Sequence, residues 1–175
     1  MVKRESFYLS TQPLPEQKEG FEAIFNYWDD NGLYDGRQLA YAISTVWHES
    51  AHTMQPIEEY GKGKGKEYGK PYPGTGLIYF GRGLVQLTWF RNYMIMGERL
   101  GIDLVHHPEL ALQMEISVKI LFEGMIHGLF TGKKLDDYFN DEIEDPYHAR
   151  RIKNGLDQAD RIATHYHRFL KALFI

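Results

Sequence analysis

The run His48-Glu49-Ser50-Ala51-His52 sets two imidazoles four residues apart around a carboxylate. On a helix, positions i and i+4 share a face, so both His could hold one zinc ion while Glu49 polarises water, as in a metallopeptidase. No third ligand declares itself. Glu58 and Glu59 follow His52 by only six and seven residues, closer than a ligand from a second helix usually arrives. The other chemistry open to these residues uses carboxylates alone. Cleaving a glycosidic bond needs a protonated carboxyl at the leaving oxygen and an ionised carboxylate, roughly 6.5–9.5 Å away if the reaction inverts. Glu49 falls near a predicted helix C-terminus on the face of Ala42 and Val46, where desolvation and the dipole disfavour charge, which suits an acid. Glu58 and Glu59 fall in a polar loop beside Lys62, Lys64 and Lys66, whose charge favours the ionised form and suits a base. Away from a site, the same groups would be a solvated helix-end carboxylate and loop charges.

Positioning these groups requires helices separated by Gly-rich punctuation. Glu16 to Asp30 carries Phe21, Ile24, Phe25 and Trp28 at helical spacing and stops at Asn31-Gly32. A second helix opens at Asp35, presents Leu39, Ile43, Val46 and Trp47, and is expected to end near Ser50 to His52. Residues 59 to 83 are too rich in Gly and Pro for a helix and too long for a passive connection. Thr88 is the expected N-cap of a helix through Trp89, Tyr93 and Met96 to Leu100-Gly101. Pro108 starts another, apolar nearly all round, to about His127. After a turn near Asn140, a short helix through Ala149 and Ile152 ends at Asn154-Gly155, and a last one carries Ile162, Tyr166, Phe169 and Leu173. The fold class is mainly α, one domain over residues 1 to 175, with at most a small strand near Leu77 to Phe80.

Composition narrows the classes. The 175 residues are 43% apolar and include 12 Tyr, 10 Phe and 3 Trp, enough aromatic area to anchor a core. A formal charge of −4 argues against nucleic-acid binding by bulk charge. Zero Cys excludes a disulfide framework, a thiol nucleophile and any Cys-based metal site. No apolar run approaches the roughly 18 residues of a membrane span, and no signal-peptide core follows Met1-Val2-Lys3-Arg4. The expectation is therefore synthesis in a bacterial host's cytoplasm and, for an extracytoplasmic substrate, release by another agent.

The stretch Tyr79-Phe80-Gly81-Arg82-Gly83-Leu84-Val85-Gln86-Leu87-Thr88-Trp89, with His48-Glu49-Ser50 some thirty residues before it, resembles glycoside hydrolase family 19. That lysozyme-like group contains plant-type chitinases and many phage endolysins. The loop from Gln55 to Pro71 and the stretches GIDLVHHPELAL, LFEGMIHGLFTGKKLDDYF and ARRIKNGLD are similar to the endolysin branch, so the resemblance covers roughly residues 35 to 165. It implies a lysozyme-like fold with a Gly-rich active-site loop and Glu49 as general acid. For the second carboxylate, the flanking Pro-Ile and Tyr-Gly favour Glu59, whereas spacing in shorter members favours Glu58. Thr88 matches a Ser or Thr that helps hold the nucleophilic water, and Gln86, Tyr79, Asn92 and Asn154 match substrate contacts. The Gly pair that often follows the H-E-S/T motif is Ala51-His52 here, which leaves His52 without a role.

Other groups have two readings. Gly81 and Gly83 around Arg82 either make a tight turn or approach substrate, and Arg82 either pairs inside the fold or binds sugar. Trp89, Tyr60, Tyr68 and Tyr93 either stack on sugar rings or fill the core. The Lys62 to Lys70 cluster either attracts an anionic wall polymer or is a solvated loop. His48 is expected to steady Glu49 in place of binding metal. The basic residues of the last helix either face an anionic membrane or simply flank a packed stripe. Taken together, these residues describe a monomeric hydrolase for the β-1,4 glycan of bacterial peptidoglycan, working without metal or cofactor and without nucleic-acid or membrane partners.

Overall fold

The computed structural model describes residues 2–174. Six helices run in chain order: α1 (Arg4–Thr11), α2 (Pro15–Asp30), α3 (Gly36–Glu49), α4 (Phe90–Leu100), α5 (Met114–His127) and α6 (Ala159–Leu173). Two short strands, β1 (Ile57–Glu58) and β2 (Arg82–Gly83), pair antiparallel between α3 and α4, with Ile57 opposite Gly83 and Glu58 opposite Arg82.

Helix α3 packs most extensively on α6. Its Leu39, Ile43 and Val46 and the α6 residues Ile162, Tyr166 and Phe169 are all at most 1% exposed, so the pair forms a rigid base beneath Glu49. Asp35 starts α3 by accepting a hydrogen bond from the Arg37 N–H at 2.9 Å. The helix stops at Glu49, earlier than the periodicity suggested, because Ala51 (φ 51°), His52 (φ 69°) and Met54 (φ 57°) are left-handed. The chain is folded back there against α2: a Cβ on Gly20 would collide with the Met54 carbonyl, so only Gly permits the approach.

Four expectations change. Helix α1 was not expected, since its only fully buried side chain is Phe7, which packs edge-on against Phe21 and Phe25. The strand lies at residues 82–83 and not at 77–80, because its partner is Ile57–Glu58. Thr88 does not cap α4; Trp89 does, with φ 74° and no side-chain cap, while the Thr88 hydroxyl donates to the Gln86 carbonyl at 2.8 Å. The helix expected from Pro108 to His127 is broken at an extended Gln113 into a 3₁₀ turn, Pro108–Leu112, and α5. The break brings the turn and the start of α5 onto β2, where Ser117 Oγ accepts from the Leu84 N–H at 2.7 Å. Among the described residues no helix is long and apolar enough to cross a membrane.

Candidate active site

Glu49 is the last residue of α3, and its side chain is only 16% exposed. Its Oε1 accepts from Arg150 Nη1 at 2.7 Å, and Arg150 is itself fixed by donating Nε–H to the Asp157 carbonyl at 3.0 Å. Lys153 comes to the same place. Its ammonium donates to the Gln86 carbonyl at 3.3 Å and lies over the Phe130 ring. Burial pushes this lysine below its ordinary value, the Glu49 charge opposes that shift, and Arg150 adds to it. Arg150 and Lys153 were legible as members of the stretch ARRIKNGLD and of the basic residues set beside the last apolar stripe; nothing local tied Arg150 to a carboxylate 101 residues earlier.

Glu59 follows β1, and its backbone N–H donates to the Gly81 carbonyl at 2.7 Å. Both carboxylate oxygens are engaged: Oε1 accepts from the Tyr68 hydroxyl at 2.7 Å and Oε2 from the Gly81 N–H at 3.1 Å. Burial, then the hydrogen bond and charge of Glu59, push the Tyr68 phenol up to about 12, so it remains a donor at any physiological pH. A Cβ on Gly81 would sit 3.3 Å from both Glu59 Cβ and Thr88 Oγ1, and 2.8 Å from Gln86 Oε1. A side chain at that position would press on all three, so Gly leaves them room to converge. Glu58 is the neighbour on an extended strand, so its side chain points the other way. It is 36% exposed and pairs with Lys62 Nζ at 2.6 Å.

A cavity of about 330 Å³ is lined by Tyr68, Thr88, Trp89, Asn92, Phe130, Lys153 and Asn154. Four expected site residues, Thr88, Trp89, Asn92 and Asn154, meet in it, and Asn92 Nδ2 donates to the Thr88 carbonyl at 2.8 Å. Gln86 stands at its edge. Its backbone carbonyl takes the Thr88 and Lys153 bonds, and its amide Nε2 ties the strands by donating to the Ile57 and Gly83 carbonyls at 3.0 and 3.1 Å. Tyr79 and Arg82 both spend their polar ends on bonds within the fold, although Tyr79 also forms part of the wall of a neighbouring hollow. Tyr79 is 2% exposed and donates its hydroxyl to the Val105 carbonyl at 2.7 Å. Arg82 lies 3.6 Å from the Phe80 ring centroid and donates to the Ile78 and Phe80 carbonyls and the Tyr93 hydroxyl. It has thus become an internal brace of the loop. Arg82→Met is expected to lower stability by about 2 kcal/mol, because it strips donors from buried acceptors; urea unfolding measures it, and an unchanged midpoint refutes the role.

His48 and His52 do not share a helical face. The helix ends between them, and the His52 ring stacks on Trp47 with centroids 4.9 Å apart and planes at 14°. Among the described residues no group of three or more His, Asp or Glu side chains is placed to hold a metal ion. Burial pushes His48 and His165 below the ordinary histidine value. For His48, Glu49 opposes the shift while Arg150, Arg161 and His52 add to it; for His165, His52, Arg168, His48 and Arg161 all add. A histidine whose folded value lies below its unfolded one stabilises above the unfolded value, and that contribution disappears as pH falls through the folded value. Stability is therefore expected to be full above about pH 7 and to decline below about 6.5. The double variant His48→Gln/His165→Gln should flatten that decline in urea unfolding across the range; an unaltered profile would show that these two rings do not govern it.

No protein-family profile matches the chain. Over 79 residues the chain is 39% identical to an endochitinase of Arabidopsis thaliana, the match covering 42% of this chain and 29% of that protein. Basic endochitinase CHB4 of Brassica napus is 37% identical over 79 residues, again 42% and 29% of the two chains. The chain thus matches less than a third of the length of these curated relatives. Solved structures extend the likeness. A bacterial family 19 chitinase superposes with a TM-score of 0.65 at 20% identity, covering 99% of this chain and 95% of that one. Chitinase C from Streptomyces griseus HUT6037 gives 0.69 at 20% identity, covering 99% and 76%. Across nearly its whole length, then, this chain has the mainly helical, lysozyme-like fold of the family 19 chitinases.

Proposed function

We propose that this chain is a glycoside hydrolase that cleaves the β-1,4 glycan strand of bacterial peptidoglycan by general acid/base catalysis with inversion. The observation that carries the reading is that Tyr68, which holds Glu59, lines one cavity with Thr88, Asn92, Asn154 and Lys153, the last lying three residues from the Arg150 that holds Glu49. Arg150 occupies Oε1 of Glu49, so the proton is delivered from Oε2 to the glycosidic oxygen as its bond to C1 breaks. Glu59 accepts a proton from a water whose oxygen bonds to C1 on the opposite face, and the Thr88 hydroxyl helps hold that water. The product carries the inverted anomeric configuration. Both carboxyl groups then exchange a proton with solvent and return to their starting states. Carboxyl groups and water suffice for every step.

Peptidoglycan is favoured by the resemblance of the Gln55 to Pro71 loop and of the stretch ARRIKNGLD to the endolysin branch. Chitin is the second reading, supported by the curated relatives being named endochitinases. Purified Gram-negative peptidoglycan and colloidal chitin, each digested in excess EDTA and followed by mass spectrometry, separate the cases. New reducing sugar ends from peptidoglycan are expected. Reducing ends from chitin alone would transfer the assignment to chitin, and stem-peptide cleavage appearing only on zinc addition would overturn the glycosidase reading.

A further inference from the structure

The cavity beside Glu59 does not end at Trp89. A second hollow of about 360 Å³ opens beyond it, and Tyr68 and Trp89 belong to the walls of both. These two rings meet edge to face, with centroids 5.1 Å apart and planes at 72°. A polymer lying along the first cavity is thereby led across the Tyr68–Trp89 edge into the second. The far wall is aromatic: Tyr72 lies flat on Phe90, centroids 3.7 Å apart and planes at 8°. Trp89 remains 49% exposed and Tyr72 39%, and both present that surface to the one hollow. Trp89 is also held at φ 74°, a conformation that costs a bulky residue energy and that folds retain chiefly where a side chain must be aimed.

The charge in this hollow has one sign to spare. Lys70 gives its ammonium to both oxygens of Glu67, at 2.8 and 2.9 Å, and that pair is neutral. Arg91 lines the same hollow, is exposed, and has no carboxylate partner among the described residues. A guanidinium fork addresses a carboxylate through two parallel hydrogen bonds, and flat aromatic faces take the C–H face of a pyranose ring. We propose that the second hollow is a subsite for a sugar whose lactyl group carries a stem peptide, its ring on Tyr72 and Trp89 and a free carboxylate of that peptide on Arg91. On that assignment, which rests on the peptidoglycan reading, Arg91 discriminates the peptide-bearing wall strand from uncharged chitin.

Calorimetric binding to Glu49→Gln protein, which spares the ligand from cleavage, tests this with two tetrasaccharides. One is a peptidoglycan fragment carrying its lactyl-peptide carboxylates and the other is chitotetraose. Introducing Arg91→Met is expected to weaken the peptidoglycan fragment about fivefold while changing chitotetraose less than about twofold, and added salt should erase the difference. Arg91→Lys should retain part of the preference, and Tyr72→Ala should weaken both ligands alike, because the platform reads the ring and not the charge. Equal losses for both ligands at Arg91→Met, or none for either, would overturn the subsite. If the protein with Arg91 intact binds chitotetraose as tightly as the charged fragment, the peptidoglycan reading itself fails, and it does so before any change at Arg91.

Discussion

Glu49→Gln is expected to reduce glycan cleavage by about a thousandfold, with the loss in kcat and little change in KM. The physical basis is that an amide keeps the shape and the acceptor oxygen of the carboxyl group but has no acidic proton to give. Arg150 Nη1 sits 2.7 Å from Oε1, and a Gln carbonyl can still accept that bond. Arg150 is enclosed, its side chain 5% exposed, and both the protonated acid and the amide offer it a neutral acceptor oxygen. The expected change in stability is therefore below about 1 kcal/mol. Thermal unfolding beside the kinetic measurement separates the two effects. Near-normal cleavage by a folded Glu49→Gln protein would end the assignment of Glu49 as the acid.

The second large effect lies one peptide bond apart in sequence. Glu59→Gln is expected to slow cleavage by about two to three orders of magnitude, whereas Glu58→Gln should stay within about twofold. Glu59 is held from two sides, by the Tyr68 hydroxyl and the Gly81 N–H, next to the Thr88 hydroxyl that is proposed to hold the water. Glu58 has an exposed ion pair with Lys62, the kind that contributes little. Steady-state rates on the same wall preparation decide the matter. Equal mild effects would remove Glu59 from the chemistry, and the reverse order would hand the role to Glu58.

Sequence alone determined the helices that bury a broad apolar stripe. Phe21, Ile24, Phe25 and Trp28 marked α2, and Ile162, Tyr166, Phe169 and Leu173 marked α6, because a 3.6-residue repeat survives whatever the neighbours are. It also marked Glu49 as a helix-end carboxylate and residues 59 to 83 as a largely irregular segment. It could not find α1, where one fully buried side chain leaves no periodic signal, nor two strands of two residues each whose pairing is non-local. Periodicity placed the end of α3 near Ser50 to His52, but it could not show the left-handed turn at Ala51, His52 and Met54 or the close approach of Met54 to Gly20 on α2. Spacing could not separate Glu58 from Glu59, because what distinguishes them is tertiary: Glu59 accepts from Tyr68 and Gly81, whereas Glu58 pairs with Lys62. Tyr79 and Arg82 look like ligand contacts in a motif, and only the packed fold shows that their polar ends are taken by carbonyls of their own chain. Arg150 reaches Glu49 from 101 residues away, a pairing that exists only once α6 and the turn before it have packed against α3.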